Sequence, residues 1–158
     1  MDPKIAQYIE GEEARKYRPY RDSSPGKFWT YGIGRNFEAN PFSVDETRFL
    51  LENGPEDAFI DLLFKNDLQD AWDDATRVIG KDFPGWPPAR QAAIISIIFN
   101  TGPAGFRGFK NMVIALRQGR WDVAAAELLD SVRSRETLKN SPRDEEEAQM
   151  IRSGAWPS

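Results

Sequence analysis

The stretch from Ile9 to Asn36 reads IEGEEARKYRPYRDSSPGKFWTYGIGRN, and its texture decides how the rest of the chain is understood. Pro19, the run Ser23-Ser24-Pro25-Gly26 and the pair Gly32/Gly34 interrupt Tyr20, Phe28, Trp29, Tyr31 and Ile33. Large apolar residues set between turn formers in this way predict short strands joined by tight turns. No other part of the chain carries the pattern. Just upstream, Asp2-Pro3 combines an N-cap with a proline at the first helical position, and Ile5, Tyr8 and Ile9 follow at helical spacing. The strand segment is therefore entered from a short helix.

Downstream the periodicity is helical throughout. Ser43 with Glu46 forms a capping box that opens a helix through Leu50-Leu51 and stops at Asn53-Gly54. From Pro55 to Gly80, the residues Phe59, Ile60, Leu63, Phe64, Leu68, Ala71, Trp72, Ala75 and Ile79 keep a 3.6 period, which predicts one long helix. Lys81–Pro88 is a turn-rich break. Ala89–Asn100 is apolar on nearly every side and predicts a central buried helix. Phe109–Gln118, Trp121–Leu129 and Arg143–Ser153 supply further helices, the last two separated by the polar run Ser131–Pro142. Trp72, Trp121 and Trp156 read as core residues, whereas Trp29, Phe28 and Tyr31 either pack or stack on a ligand. The series Asp67, Asp70, Asp73, Asp74 reads as a solvated helix face, since it lacks the glycine and terminal Glu of a calcium loop.

Composition narrows the chemistry. The chain has 158 residues, enough for one domain with a substantial core. It contains no Cys and no His, which excludes thiol nucleophiles, disulfides, Ser-His-Asp catalysis and His- or Cys-ligated metals. Acid–base work near neutral pH falls to carboxylates, Lys or Tyr. A net charge of −4 argues against nucleic acid as a partner. That charge is uneven: residues 36–91 carry 12 acidic and 5 basic groups, while the two flanking segments are slightly basic. No 18-residue apolar run occurs, and Met1-Asp2-Pro3-Lys4 does not lead into a secretory segment. A soluble product made in a cytoplasm, with no metal or other cofactor and no membrane insertion, is expected.

The quoted stretch resembles the catalytic segment of the T-even phage lysozyme family, the muramidase-type endolysins, whose pattern is Glu, Asp nine positions on, then Thr and a Gly-x-Gly turn. Here the tail of that pattern is Asp22, Thr30, Gly32 and Gly34. Further blocks follow in family order. Leu63-Phe64-Lys65-Asn66-Asp67 resembles the start of the family's interlobe helix, and Phe99-Asn100-Thr101-Gly102 its central-helix exit. Trp121-Asp122-x-Ala124-Ala125 and Arg152-Ser153-Gly154-Ala155-Trp156 resemble its C-terminal lobe. The resemblance implies an α+β fold in two lobes: an N-terminal β-containing lobe over about 14–54, a joining helix over about 55–80, and a mainly helical lobe over about 81–158 together with the first helix. It also implies a glycan held between the lobes.

Glycoside hydrolysis needs one carboxyl kept protonated for the leaving oxygen and a second kept ionised to activate water or stabilise positive charge on the sugar. A Glu at the C-terminal end of the first helix meets the negative end of the dipole, which suits an acid. Asp22, beside Arg21 and turn N–H groups, suits the ionised role, and Thr30 can hold the water. Two glutamates compete for the acid. Glu13 lies nine residues before Asp22 and needs no gap, but Ala14 stands where the family has Gly; Glu10 is followed by Gly11 but lies twelve residues before Asp22. The interval from Asp22 to Thr30 is two residues longer than the family's, which predicts a longer hairpin tip around Ser24–Gly26.

By the same resemblance Arg35, standing where many members have His, pairs with Asp67, and Arg143 takes the place of the arginine that pairs with the catalytic Glu. Gly32, Gly34, Asn100 and Arg143 are the expected substrate-binding residues. Asn100 is expected to be a buried amide in need of a partner. The implied activity is hydrolysis of the β-1,4 bond between N-acetylmuramic acid and N-acetylglucosamine in bacterial peptidoglycan, by a monomer. It would be released from the host cytoplasm through a holin, or carried on the virion. A lytic transglycosylase and an inactive wall-binding or virion module of the same fold are the alternatives.

Overall fold

The computed structural model describes residues 1–23, 26–131 and 141–158. Its elements are α1 (Pro3–Glu12), β1 (Arg15–Arg21), β2 (Trp29–Ile33), β3 (Arg35–Asn36), α2 (Val44–Asn53) and α3 (Asp57–Ile79). A 3₁₀ turn (Phe83–Gly85) follows, then α4 (Pro88–Gly108), α5 (Lys110–Arg117), α6 (Trp121–Leu129) and α7 (Pro142–Ser153). The fold is α+β and lysozyme-like, with a single three-stranded antiparallel sheet in the order β1-β2-β3 among the described residues. Two compact units are defined by internal contacts: Gln7–Asp70, and Met1–Ala6 with Ala71–Ser158. The boundaries fall inside α1 and α3.

The start of α1 is capped as its sequence dictates, with the Asp2 carboxylate accepting from the Lys4 N–H at 2.8 Å. The helix runs on through Gly11, around which a Cβ would meet nothing within 4 Å. The sheet register pairs Arg15 with Ile33, Lys16 with Gly32, Tyr20 with Thr30 and Arg21 with Trp29, with an irregularity between Lys16 and Tyr20. Pro19 lies inside it; a residue without an N–H is tolerated where the ladder is already broken. Thr30 also pairs with Asn36 and Tyr31 with Arg35, so β2 and β3 are joined by a turn through Gly32-Ile33-Gly34. Gly32 and Gly34 have φ of 65° and 75°, left-handed values that side chains resist. A Cβ on Gly32 would also stand 3.2 Å from Ile60.

Beneath the sheet Phe59 is 1 % exposed and is ringed by Tyr31, Phe42 and Phe49 at centroid distances of 5.9, 5.4 and 6.4 Å. Burying such a ring contributes about 2–3 kcal/mol. Ser43 and Glu46 close both halves of the capping box at the start of α2, which ends at Gly54. The long helix α3 has 23 residues, about 35 Å at 1.5 Å per residue.

In the other unit α4 is buried continuously from Ala89 to Ile98. It packs on α7, which also holds α6, while α5 packs on α6. Gly102, at φ 73° and ψ 165°, kinks α4, and a further helical turn after Pro103 extends it past the predicted end at Asn100. Arg90 is buried yet bonded: its Nε donates to the Ile151 carbonyl at 2.7 Å, and its guanidinium lies 3.9 Å above the Trp121 ring. Trp72, Trp121 and Trp156, expected in the core, are only half-buried. Trp72 packs at a tilt on Phe83, and Trp121 packs edge-on against Trp86. No described helix is long and apolar enough to cross a membrane.

Candidate active site

The residues expected to do chemistry gather on the sheet and at the end of α1. Glu13 immediately follows α1, its N–H donating to the Ile9 carbonyl at 3.2 Å and so completing the last turn. A Cβ built on Gly34 would stand 3.6 Å from Glu13 Oε2, which places the carboxylate directly over the β2–β3 turn. A glycine there leaves room for whatever the carboxylate must meet. Glu13 is half-buried.

Glu10 faces elsewhere. Its Oε1 accepts from Arg15 at 2.8 Å, and the same guanidinium donates to Asp57 at 2.9 Å and Asp61 at 2.7 Å. Tyr17 adds a bond to Asp57 at 2.7 Å. The bonds that Arg15 donates to Glu10 first and then Asp61 raise its guanidinium above its already high ordinary value. Glu10 thus belongs to an exposed ionic cluster tying α1, β1 and α3 together.

Asp22 closes the β1–β2 hairpin. Its N–H donates to the Phe28 carbonyl at 3.1 Å, and the Phe28 N–H donates to its Oδ1 at 3.1 Å. The expected longer tip at Ser24 and Pro25 lies outside the described residues. Thr30 is 2 % exposed, and its hydroxyl donates to the same Phe28 carbonyl at 3.1 Å. With that proton committed, the Thr30 oxygen is left as an acceptor. Tyr20 binds the picture together. Its hydroxyl is pushed above the ordinary phenol value first by burial and then by the negative charges of Glu13 and Asp22, so both carboxylates act on one side chain.

Beside the Gly-x-Gly turn sits a polar cluster that is largely closed to solvent. Arg35 is 3 % exposed; its Nε donates to both oxygens of Asp67 at 2.8 and 3.0 Å. The expected Arg35–Asp67 pair is present, and the solvated reading of the aspartate face is wrong at Asp67. Glu46 joins them, accepting from Arg35 at 2.9 and 3.1 Å and from Asn66 at 2.8 Å. Two carboxylates share one guanidinium, and they move in opposite directions. Burial raises Glu46, but bonds from Arg35, Asn66 and the Ser43 N–H outweigh it and bring the carboxyl down to about 2. Burial raises Asp67 more than Arg35 lowers it, and the charges of Glu46 and Asp70 add to the rise, which reaches about 6.

In the helical unit, Arg143 donates to Glu147 Oε1 at 3.2 Å and to the Ser96 hydroxyl at 3.0 Å; Ser96 in turn donates to Glu147 in a short bond. Glu147 is 0 % and Asp144 1 % exposed, so two acids near the start of α7 are buried. The signal for this was Ser96, a lone hydroxyl amid isoleucines. Asn100 is exposed and not a buried amide, because α4 emerges from its neighbours beyond Ile98. Among the described residues no group of three or more carboxylates is arranged to hold a metal.

The family model described as phage lysozyme matches residues 10–141, most of the chain. The chain belongs to the phage lysozyme family. As a phage lysozyme it is of the glycoside hydrolase kind, and peptidoglycan is the family's substrate. The match spans the Glu10–Glu13 segment, the sheet and the helices as far as the start of α7, so the family's fold and the geometry around Gly34 concern the same residues.

Proposed function

We propose that this phage lysozyme is a muramidase that hydrolyses the β-1,4 bond between N-acetylmuramic acid and N-acetylglucosamine. Glu13 is the general acid, and Asp22 with Thr30 holds the attacking water. The observation that carries this is the placement of Glu13 over Gly34, with Tyr20 responding to both Glu13 and Asp22, while Glu10 is engaged with Arg15.

In this reading Glu13 donates its proton to the glycosidic oxygen as the bond to the muramic C1 lengthens. The water donates one hydrogen to the Thr30 oxygen, whose own proton is spent on Phe28, and the other to Asp22. That leaves a lone pair aimed at C1, and the product anomer is inverted. The Phe28 N–H fixes one Asp22 oxygen and so orients the other. Gly32 and Gly34 shape the floor on which the sugar lies. The enzyme acts as a monomer on the wall of its host from the periplasmic side, after release from the cytoplasm through a holin.

The test is product analysis. Purified sacculi digested with the wild type should yield reducing muramic ends, and Asp22→Asn should lower the rate about 100-fold or more. Anhydromuramyl ends would make it a transglycosylase. Binding of sacculi without release of fragments would make it an inactive wall-binding module.

A further inference from the structure

Tyr20 is placed by the ladder. It is the direct partner of Thr30, which is in turn the partner of Asn36, so the three side chains form a row across one face of the sheet. Asp22 follows two residues later. It lies just past the end of β1, where its N–H donates to the Phe28 carbonyl and its Oδ1 accepts from the Phe28 N–H, which holds the carboxylate at the same end of the hairpin as Tyr20 and Thr30. Glu13 and Asp22 both act electrostatically on the phenol. Among the described residues none accepts a hydrogen bond from the Tyr20 hydroxyl.

A neutral hydroxyl in this position has a use. When a glycan displaces water from the site, the interaction between the two carboxylates strengthens, and an acid and an ionised base must still coexist there. A donor that bonds the charged one favours its ionisation without introducing a cation that would also strip the proton from the acid. We propose that Tyr20 is a positioning residue of the hydrolytic site, donating its hydroxyl proton to the Asp22 carboxylate in the substrate complex and holding it ionised and turned toward the water on Thr30. This rests on the reading of Glu13 and Asp22 given above and assigns the residue that sets their division of roles.

The experiment is Tyr20→Phe, assayed over pH 3–9 on solubilised peptidoglycan glycan strands beside Glu13→Gln and Asp22→Asn, with thermal unfolding of each protein. Tyr20→Phe should keep its Tm and its KM, lose about 10-fold in kcat, and move the acid limb of the kcat profile upward by about one pH unit. A wild-type kcat with an unmoved acid limb overturns the proposal, and so does an equal loss at every pH with no shift of the limb. If Glu13→Gln and Asp22→Asn both stay active, the reading of the site itself fails; if both are inactive while Tyr20→Phe matches the wild type, only the Tyr20 assignment falls. Should Tyr20→Phe unfold early, [¹³Cζ]tyrosine NMR supplies the test in folded protein. The Tyr20 titration midpoint should fall in Asp22→Asn, and an unchanged midpoint overturns the proposal.

Discussion

Replacing Arg35 by Met removes the cation that bridges Glu46 and Asp67 while preserving much of the buried volume. In the wild type the guanidinium satisfies Asp67 through Nε at 2.8 and 3.0 Å and Glu46 at 2.9 and 3.1 Å, and the cluster carries one net negative charge when both acids are ionised. Without Arg35 two acids remain, their side chains 5 % and 13 % exposed, and ionising both leaves two uncompensated charges. Breaking a buried pair in this way costs about 3–5 kcal/mol. For a chain of 158 residues, at roughly 2–4 °C per kcal/mol, Tm should fall by about 6–20 °C at pH 7.

The pH dependence makes the test specific. Arg35→Met should recover as pH falls and the stranded carboxyls take up protons. Arg35→His should behave differently again. An imidazole between two carboxylates has its folded pKa raised above the unfolded value near 6.5, so its stabilisation is complete below about pH 6 and lost as pH rises through the folded value. Thermal unfolding followed by circular dichroism at pH 4, 5.5, 7 and 8.5 separates the three proteins. Arg35→His should lie near the wild type at pH 5.5 and near Arg35→Met at pH 8.5. A loss under about 1 kcal/mol for Arg35→Met at pH 7, or superimposable His and Met profiles, would refute the reasoning.

Other outcomes follow from the same contacts. Asp67, raised from 3.8 to about 6, adds stability that is complete below pH 3.8 and lost as pH rises through 6; Asp67→Asn should flatten that decline in a plot of Tm against pH. Glu46, lowered from 4.5 to about 2, works oppositely: its stabilisation is present above pH 4.5 and lost toward pH 2, so Glu46→Gln should lose most at neutral pH and converge on the wild type in acid melts. Gly11 lies inside α1 with open space around it, so Gly11→Ala should raise stability by about 0.5–1 kcal/mol in denaturant titrations without touching activity. Gly34, at φ 75°, should lose about 1–2 kcal/mol as Ala, with a larger loss of activity than of stability because the new methyl points at Glu13. Glu147→Ala should cost on the order of 3 kcal/mol in chemical denaturation, since Ser96 and Arg143 lose a buried acceptor.

Most of the architecture was legible because it is written in local signals. The Ser43–Glu46 box, the stop at Gly54, the apolar period of α3 and the all-round burial of α4 each depend on residues within a few turns of one another. Two kinds of feature were not legible. Charge clusters form between residues distant in sequence, so Glu46 was visible as a cap but not as a second partner of Arg35, and the bond of Glu147 to Ser96 joins two helices far apart in the chain. Helix ends also depend on tertiary packing: α4 resumes after the Gly102 kink, and the exposure of Asn100 follows from where its neighbours end. Of the candidate residues chosen by type, Thr30 and Gly32 fall on β2, with Asp22 and Gly34 beside it. The two glutamates could not be told apart from spacing alone. What distinguishes them in space is Arg15, which pairs with Glu10 and also with Asp57 and Asp61 of α3.

The proton donor can be identified by comparing Glu13→Gln with Glu10→Gln on purified sacculi, with both proteins shown to be folded. Glu13→Gln should release muropeptide fragments at least 100-fold more slowly than the wild type. Glu10→Gln should retain activity within about threefold, with a loss of no more than about 1 kcal/mol from its exposed bond to Arg15. An inactive Glu10→Gln beside an active Glu13→Gln would contradict the assignment of the acid.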